Sequence, residues 1–166
     1  WWTLIAANYL HSGILHIFFN MAAFRQLATL VIHEYGASRM FTIYTLGGVA
    51  GFGVSYLAGV QLTIGASAGV CGLVGAALYY GKSRGGVYGS AIYKQVGMWV
   101  IIMFVFGLLA PGINNWGHGG GIIGGALLGY LLGYGERKRE TAFHKTLAAV
   151  CLAATGLVLA WAVLTS

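Results

Sequence analysis

The chain contains six stretches of mainly apolar residues that approach or reach the length needed to cross a lipid bilayer. A membrane-spanning helix needs roughly 20 such residues, and in lipid only helices and closed barrels satisfy their own backbone polar groups. We therefore predict an all-α polytopic membrane protein with six transmembrane helices in this chain. The predicted spans run about 11–32, 40–60, 65–81, 95–110, 117–135 and 146–164, and the third and fourth are short.

The composition excludes a soluble globular domain. Hydrophobic residues make up 58% of the 166 residues and charged residues 7%, whereas charged residues are about a quarter of an average soluble domain. The net charge of +6 is spread over several short loops and makes no basic face, so nucleic acid is not an expected partner. Cys71 and Cys151 lie within apolar runs and are interpreted as small buried side chains, not as a disulfide or a metal pair.

The basic residues predict how the chain is oriented in the membrane. Joints on one side hold eight of the nine Lys and Arg residues, whereas the joints at about 60–65 and 111–116 hold none. Cytoplasmic loops carry the excess of Lys and Arg, so we expect the basic joints to lie in the cytoplasm. Arg25, inside the first span, is expected to extend its charged group to the same surface. The eight are Arg39, Lys82, Arg84, Lys94, Arg137, Lys138, Arg139 and Lys145.

Small residues recur at helical spacing in the third and fifth spans. A stripe of this kind lets two membrane helices approach backbone to backbone. Taken alone, it is equally consistent with packing for stability. The stripe of the fifth span is Gly117, Gly121, Gly125, Gly129 and Gly133, and that of the third is Gly65, Gly69, Gly72 and Ala76.

Polar residues from three of the apolar runs are expected to meet at one depth, near the outer surface. His11, His16 and Asn20 lie in the first span. His16 and Asn20 share a helix face because they are four residues apart. Ser67 lies near the start of the third span and His118 near the start of the fifth. Polar side chains inside a membrane are costly, so their convergence predicts a functional site.

Each of these residues also has a structural interpretation. A serine among small residues usually bonds a backbone carbonyl one turn earlier, and a lone histidine at a helix start is often a cap or an interfacial anchor. His11, His16 and His118 together would suit Zn²⁺. The chain has no Asp, however, and its three Glu fall on the cytoplasmic side, so no carboxylate is available to orient ligand imidazoles and a backbone carbonyl would have to do so. A transporter or proton path built on the histidines would also be expected to use an intramembrane carboxylate.

A serine hydrolase is the alternative that uses all of these residues. Without an Asp no Ser-His-Asp triad is possible, so the arrangement would be a dyad in which His118 takes the proton of Ser67. His16 and Asn20 would then donate hydrogen bonds to the oxyanion of the tetrahedral intermediate, together with the backbone N–H of Ser67.

The pattern resembles the rhomboid family of intramembrane serine proteases. The motif His-x-x-x-x-His-x-x-x-Asn is matched by His11, His16 and Asn20, the motif Gly-x-Ser by Gly65 and Ser67, and the motif His-x-x-Gly-x-x-x-Gly by His118, Gly121 and Gly125. The resemblance implies a rhomboid-like helical bundle, a Ser67–His118 dyad, an oxyanion site at His16 and Asn20, and supporting roles for His11 and the three glycines. It implies no cofactor and no metal.

Two departures from the family pattern bear on activity. The family usually has Gly after the nucleophile and an aromatic residue four positions after it, where this chain has Ala68 and Cys71. The alternative to a protease is therefore a rhomboid-like pseudoprotease that binds membrane clients without cleaving them. In either case the expected partners are the lipid bilayer and single-pass transmembrane proteins. The expected location is a bacterial inner or plasma membrane, with the active site opening to the outer face.

The resemblance also predicts the domain organisation. Residues 1–135 correspond to a catalytic membrane domain lacking its first helix, which is expected to precede Trp1 in the intact protein. Residues 136–145 form a basic cytoplasmic loop, and 146–166 form an extra transmembrane helix.

Overall fold

The computed structural model describes residues 2–60, 62–109 and 112–165, and within these ranges the chain is all-α. The prediction of an all-α polytopic membrane bundle is confirmed. Pro111, which the sequence marks as a helix breaker, lies outside the described residues. The helices are α1 (Thr3–Ala6), a 3₁₀ turn (Ala7–Tyr9), α2 (Ile14–Tyr35), α3 (Ala37–Leu57), α4 (Ser67–Arg84), α5 (Gly86–Leu109), α6 (Asn115–Leu132) and α7 (Ala142–Thr165).

Within the described ranges six long helices form the bundle, and α4 lies at its centre. Among the described residues, α2, α3, α5 and α7 are long and apolar enough to cross a membrane by themselves. Helix α4 packs against α2, α3, α5 and α6. Most of its residues are buried, and many are Gly or Ala, so its neighbours can approach from every side. Helix α5 packs mainly on α4, while α7 packs on α3 and on α1.

The glycines of α6 bring it against α4 without intervening side chains. A Cβ placed on Gly121 would overlap the Ala68 carbonyl, and one placed on Gly125 would overlap the Gly72 carbonyl. A Cβ on Gly129 would meet Ala76 Cα at 3.3 Å. The stripe therefore mediates the α4–α6 contact.

Other members of the predicted stripes lie elsewhere. Gly117 faces Asn114 and Ser55, and Gly69 faces Tyr44. Gly133 lies just after α6 with a φ of +69° and faces Lys138. The predicted stripe of the fifth span was thus too long at both ends. Gly117 faces α3 and Asn114 instead of α4, and Gly133 lies beyond the end of α6 at Leu132 although α4 continues to Arg84.

The predicted boundaries were wrong at α5. The sequence suggested a short span beginning near 95, but α5 begins at Gly86 and is 24 residues long. Only Gly85, with a φ of +65°, separates it from α4. Polar residues such as Ser90, Lys94 and Gln95 are exposed on its first turns. A helix that extends beyond the apolar layer can carry polar residues. The change from polar to apolar residues near position 95 therefore did not indicate where α5 begins.

The three basic joints meet at one end of the bundle, here called the basic end. Arg84 Nε lies 3.0 Å from both carboxylate oxygens of Glu136, and Arg137 donates to the Ser83 carbonyl at 3.1 Å. Arg39 is 1% exposed, and its guanidinium donates to the carbonyls of Lys138 and Arg139 at 2.6 Å and 2.8 Å. The loop after α6 is therefore hydrogen-bonded to the start of α3.

Candidate active site

A cavity of about 210 Å³ lies at the opposite end of the bundle. Ser67, His118, His16 and Asn20 all line it, so the structure brings together the four residues that the sequence predicted for chemistry. A wider cavity of about 750 Å³ shares His16, Thr63 and Asn114 with it. The small cavity thus adjoins a larger open space at this end of the molecule.

Ser67 is the first residue of α4, and its side chain is partly exposed. The N–H groups of a first helical turn have no partner within the helix, and the helix dipole makes this end favourable for negative charge. The chain enters through Gly65, whose φ is +134° and whose N–H donates to the Ala7 carbonyl at 2.9 Å. The backbone N–H of Ser67 is therefore available at the cavity.

Gly65 also brings His16 and Ser67 close to each other. A Cβ at position 65 would lie 2.7 Å from His16 Nε2 and 3.7 Å from Ser67 Oγ. Both the positive φ and the absence of space exclude a larger residue here. The glycine therefore allows the His16 ring and the Ser67 hydroxyl to approach each other without an intervening side chain.

His118 lies in the first turn of α6 and is 8% exposed. Its backbone N–H donates to the Asn114 carbonyl at 3.1 Å. Within the described part of the chain, its Nδ1 atom is buried without a hydrogen-bond partner, and its ring makes no hydrogen bond to Ser67. Hydrogen bonds between catalytic groups are often long before substrate binds. The two side chains share a cavity, but in this state they are not bonded to each other.

The Ser12 backbone fixes which nitrogen of His16 carries the proton. Ser12 N–H donates to His16 Nδ1 at 3.3 Å, and the Ser12 hydroxyl lies 3.0 Å from the same atom. A nitrogen that accepts from an N–H group cannot itself be protonated, so in a neutral ring the proton is on Nε2. His16 Nε2 is thus a hydrogen-bond donor on the side of Gly65 and Ser67.

Asn20 lies one helical turn after His16 and is 8% exposed. Its amide donates one hydrogen bond to the His16 carbonyl at 2.9 Å. An amide nitrogen has two N–H donors, so the second remains available to the cavity that Asn20 lines.

His11 lies behind His16 and does not line the cavity. The two rings meet edge to face with centroids 5.1 Å apart, and His11 Nε2 is buried without a partner in the described ranges. Burial, with a smaller contribution from His16, lowers the pKa of His11 and so favours the neutral ring. Its position suits packing against His16. In the part of the chain that the structure describes, no group of three or more His, Cys, Asp or Glu could hold a metal ion.

Cys71 occupies the position where an aromatic residue was expected from the family pattern. Its side chain is 1% exposed and contacts Met103 Sδ at 3.5 Å. Its Cβ lies 3.0 Å from the point where a Cβ on Gly121 would be. Among the described rings, none stacks on His118.

Two residues at the site were not identified from the sequence. Ser12 binds His16, and Asn114 binds side chains from two other segments. An Asn before a helix is a capping signal, but nothing in the spacing indicates its more distant partners.

Comparison with known proteins gives concordant matches. A family model described as the Rhomboid domain matches residues 1–135. The rhomboid protease GluP of Bacillus subtilis (strain 168) is 35% identical over 133 residues, covering 80% of this chain and 26% of that protein. RHOMBOID-like protein 4 of Arabidopsis thaliana is 31% identical over 136 residues, covering 79% of the chain and 34% of that protein.

A third relative is named as inactive. Inactive RHOMBOID-like protein 8 of Arabidopsis thaliana is 30% identical over 126 residues, covering 74% of this chain and 35% of that protein. The chain spans 26% to 35% of the length of these three relatives.

Proposed function

Because this chain belongs to the rhomboid family, we propose that it is an intramembrane serine protease that hydrolyses peptide bonds in or near transmembrane segments of membrane proteins. The observation that supports this proposal most directly is the shared cavity. It is lined by a serine at a helix N-terminus, a buried histidine, and two side chains able to donate hydrogen bonds: Ser67, His118, His16 and Asn20.

The first half of the proposed reaction forms an acyl-enzyme. Ser67 Oγ attacks the carbonyl carbon of the scissile peptide bond while His118 accepts the hydroxyl proton. The negative charge on the carbonyl oxygen is stabilised by His16 Nε2–H, by the free amide N–H of Asn20 and by the backbone N–H of Ser67. Collapse of this intermediate breaks the C–N bond, and protonated His118 gives its proton to the leaving amine.

The second half uses water. A water molecule attacks the ester carbon while His118 accepts one of its protons, and the same donors stabilise the new oxyanion. Collapse then releases the carboxylic acid and returns the proton to Ser67 Oγ. The larger cavity of about 750 Å³ adjoining the site supplies a route for this water.

The substrate must present an extended backbone. A transmembrane helix engages its carbonyls in its own hydrogen bonds, so a scissile bond becomes reactive only where the helix unwinds or ends. We expect substrates whose membrane segments unwind readily near the outer surface. This expectation follows from the cavity being at the end opposite the basic loops, which the positive-inside rule assigns to the cytoplasm. A bacterial plasma membrane, with the site facing outward, is the proposed location.

The second candidate function is a pseudoprotease that binds membrane segments without cleaving them. One relative is named as inactive. In this chain Ser67 and His118 are not hydrogen-bonded among the described contacts, and His118 Nδ1 has no partner to orient the ring. The presence of both dyad residues with two oxyanion donors favours the protease.

Labelling with a fluorophosphonate distinguishes the two functions, because the probe bonds covalently only to an activated serine. We expect the unsubstituted protein to be labelled and to cleave a model transmembrane substrate. Ser67→Ala and His118→Ala should abolish both signals while the protein remains folded. Ser90→Ala, at an exposed serine of α5, is the control and should be labelled normally. Binding of the substrate without labelling or cleavage by the unsubstituted protein would instead identify a pseudoprotease.

A further inference from the structure

The geometry points to Asn114 as a positioning residue that holds the segment leading to Ser67 against the segment leading to His118. The inference rests on the proposed function and extends it to a residue outside the dyad and the oxyanion site. Asn114 is the residue before α6, and its side chain is partly buried at the cavity.

The Asn114 side chain makes three hydrogen bonds to three segments. Its Nδ2 donates to Ser55 Oγ at 2.6 Å and to Thr63 Oγ1 at 3.0 Å. Its Oδ1 accepts from the Gly117 N–H at 3.0 Å. Ser55 belongs to the last turn of α3 and is fully buried, whereas Thr63 lies in the loop between α3 and α4. One amide therefore connects α3, this loop and α6.

Thr63 and Asn114 are separated from the two dyad residues by the same number of positions in the sequence. Thr63 precedes Ser67 by four residues, and Asn114 precedes His118 by four. The Asn114 carbonyl also accepts the backbone N–H of His118 at 3.1 Å. A shift of Asn114 relative to Thr63 would therefore move the base relative to the nucleophile, and a misplacement of about 1 Å can lower a rate by about 10²-fold.

Capping of α6 does not account for the whole arrangement. A cap needs only the bond that the Gly117 N–H donates to Asn114 Oδ1. The two bonds donated by Nδ2 are additional, and they use both N–H donors of the amide. Asn114 consequently has no donor left for an oxyanion, which separates its role from that of Asn20.

Gly117 provides the space for this network. A Cβ at position 117 would lie 3.0 Å from both Asn114 Nδ2 and Ser55 Oγ. The absence of a side chain there allows the amide and the hydroxyl to meet beside α6.

Two substitutions of Asn114 separate capping from positioning. Asn114→Ser keeps a good capping residue but is too short to reach both Ser55 and Thr63. Asn114→Asp keeps the cap and can accept hydrogen bonds from both hydroxyls. All three connections remain possible provided that the Ser55 hydroxyl turns to the carboxylate from the Gly51 carbonyl, to which it donates at 3.1 Å. We expect Asn114→Ser to lower kcat by about tenfold or more with little change in KM, and to slow fluorophosphonate labelling in parallel. Asn114→Asp should retain most of the activity.

Removal of the partner on the loop should reproduce the effect. Thr63→Val deletes the acceptor for Asn114 and is expected to lower kcat in the same way. Thr42→Val is the matched control, because the buried Thr42 hydroxyl makes a 2.9 Å bond at the basic end of α3. It should leave kcat unchanged. If the unsubstituted protein is active and Asn114→Ser has the same turnover, Asn114 acts only as a helix cap. That result would overturn the inference.

Amide hydrogen exchange tests the connection without relying on activity. We expect faster exchange in 62–67 and in 114–118 for Asn114→Ser, and exchange near that of the unsubstituted protein for Asn114→Asp. Equal exchange in all three proteins would contradict the inference even if the protease proposal held. An unsubstituted protein that neither cleaves nor reacts with the probe would contradict the protease proposal, and the exchange result would still decide the role of Asn114.

Discussion

Gly125 of α6 lies so close to Gly72 of α4 that a Cβ at position 125 would overlap the Gly72 carbonyl. Helix α4 begins with Ser67, and α6 carries His118 in its first turn. The distance between these two helices therefore sets the distance between the proposed nucleophile and its base. Packing and chemistry are coupled at this contact.

Added volume at Gly125 should impair catalysis more steeply than stability. In the series Gly125→Ala, Val and Leu, we expect turnover to fall progressively, with a loss of about 10²-fold or more for Leu. Cleavage of a transmembrane substrate and the melting temperature should be measured on the same preparations. The physical reason is that the obstacle is backbone, which cannot move aside as a side chain can.

Gly129, one turn further from the cavity on the same face, is the control for that series. Its nearest neighbour is the Tyr35 hydroxyl, 2.8 Å from a Cβ at position 129. Substitutions there should lower the melting temperature comparably with a smaller loss of rate. Equal losses of rate at both positions would mean that the glycine contact supports the fold and does not set the distance between Ser67 and His118.

His16 should contribute to catalysis through the proton on Nε2, and the hydroxyl of Ser12 that contacts its Nδ1 should not be needed. His16→Ala removes a proposed oxyanion donor, and we expect kcat to fall by about 10²–10³-fold. Ser12→Ala should have little effect, because the backbone N–H that keeps Nδ1 unprotonated remains. Steady-state cleavage rates of both variants test this difference. Comparable losses in the two variants would indicate that the Ser12 hydroxyl, and not its backbone, orients the ring.

Asn20 should affect the chemical step more than substrate binding. Asn20→Ala is expected to lower kcat by roughly 10²-fold with little change in KM, because an oxyanion donor acts mainly in the transition state. Circular dichroism should show an intact helix, since the lost bond to the His16 carbonyl duplicates a helical one. A higher KM with normal kcat would make Asn20 a substrate-binding residue.

The position of the basic end in the membrane is open to direct measurement. In a variant lacking Cys71 and Cys151, we expect Leu62→Cys to react with an impermeant maleimide in whole cells, because Leu62 is 87% exposed at the cavity end. Lys138→Cys should react only after permeabilisation. Labelling of position 138 in intact cells would reverse the topology and turn the cavity towards the cytoplasm.

The sequence predicted the helical bundle and four of the residues around the cavity for a simple reason. Apolar span length and the low charge content follow from the lipid environment, and polar residues within a span are rare enough to be informative. Ser67, His16 and His118 were therefore visible as exceptions in an apolar background.

Contacts between distant segments were not predictable in the same way. The bonds from Asn114 to Ser55 and Thr63 connect positions 59 and 51 residues apart, and no local pattern records them. The start of α5 was missed because polarity marks the edge of the membrane, whereas the helix continues beyond it. The length of the glycine stripe was overestimated because a repeat in the sequence indicates neither where its own helix ends nor which neighbour each glycine faces.

The buried Arg39 has a consequence for the order in which the protein is assembled during synthesis. Its guanidinium finds acceptors at Lys138 and Arg139, which lie 99 and 100 residues later in the chain. A ribosome delivers the N-terminal helices first. While the segment up to α6 is being inserted, Arg39 must therefore keep water or other partners, because an unpaired buried charge is strongly unfavourable. The hydrogen bonds of Arg39 at the basic end can form only after the loop that follows α6 has been synthesised. By then the segments carrying Ser67 and His118 have also been synthesised.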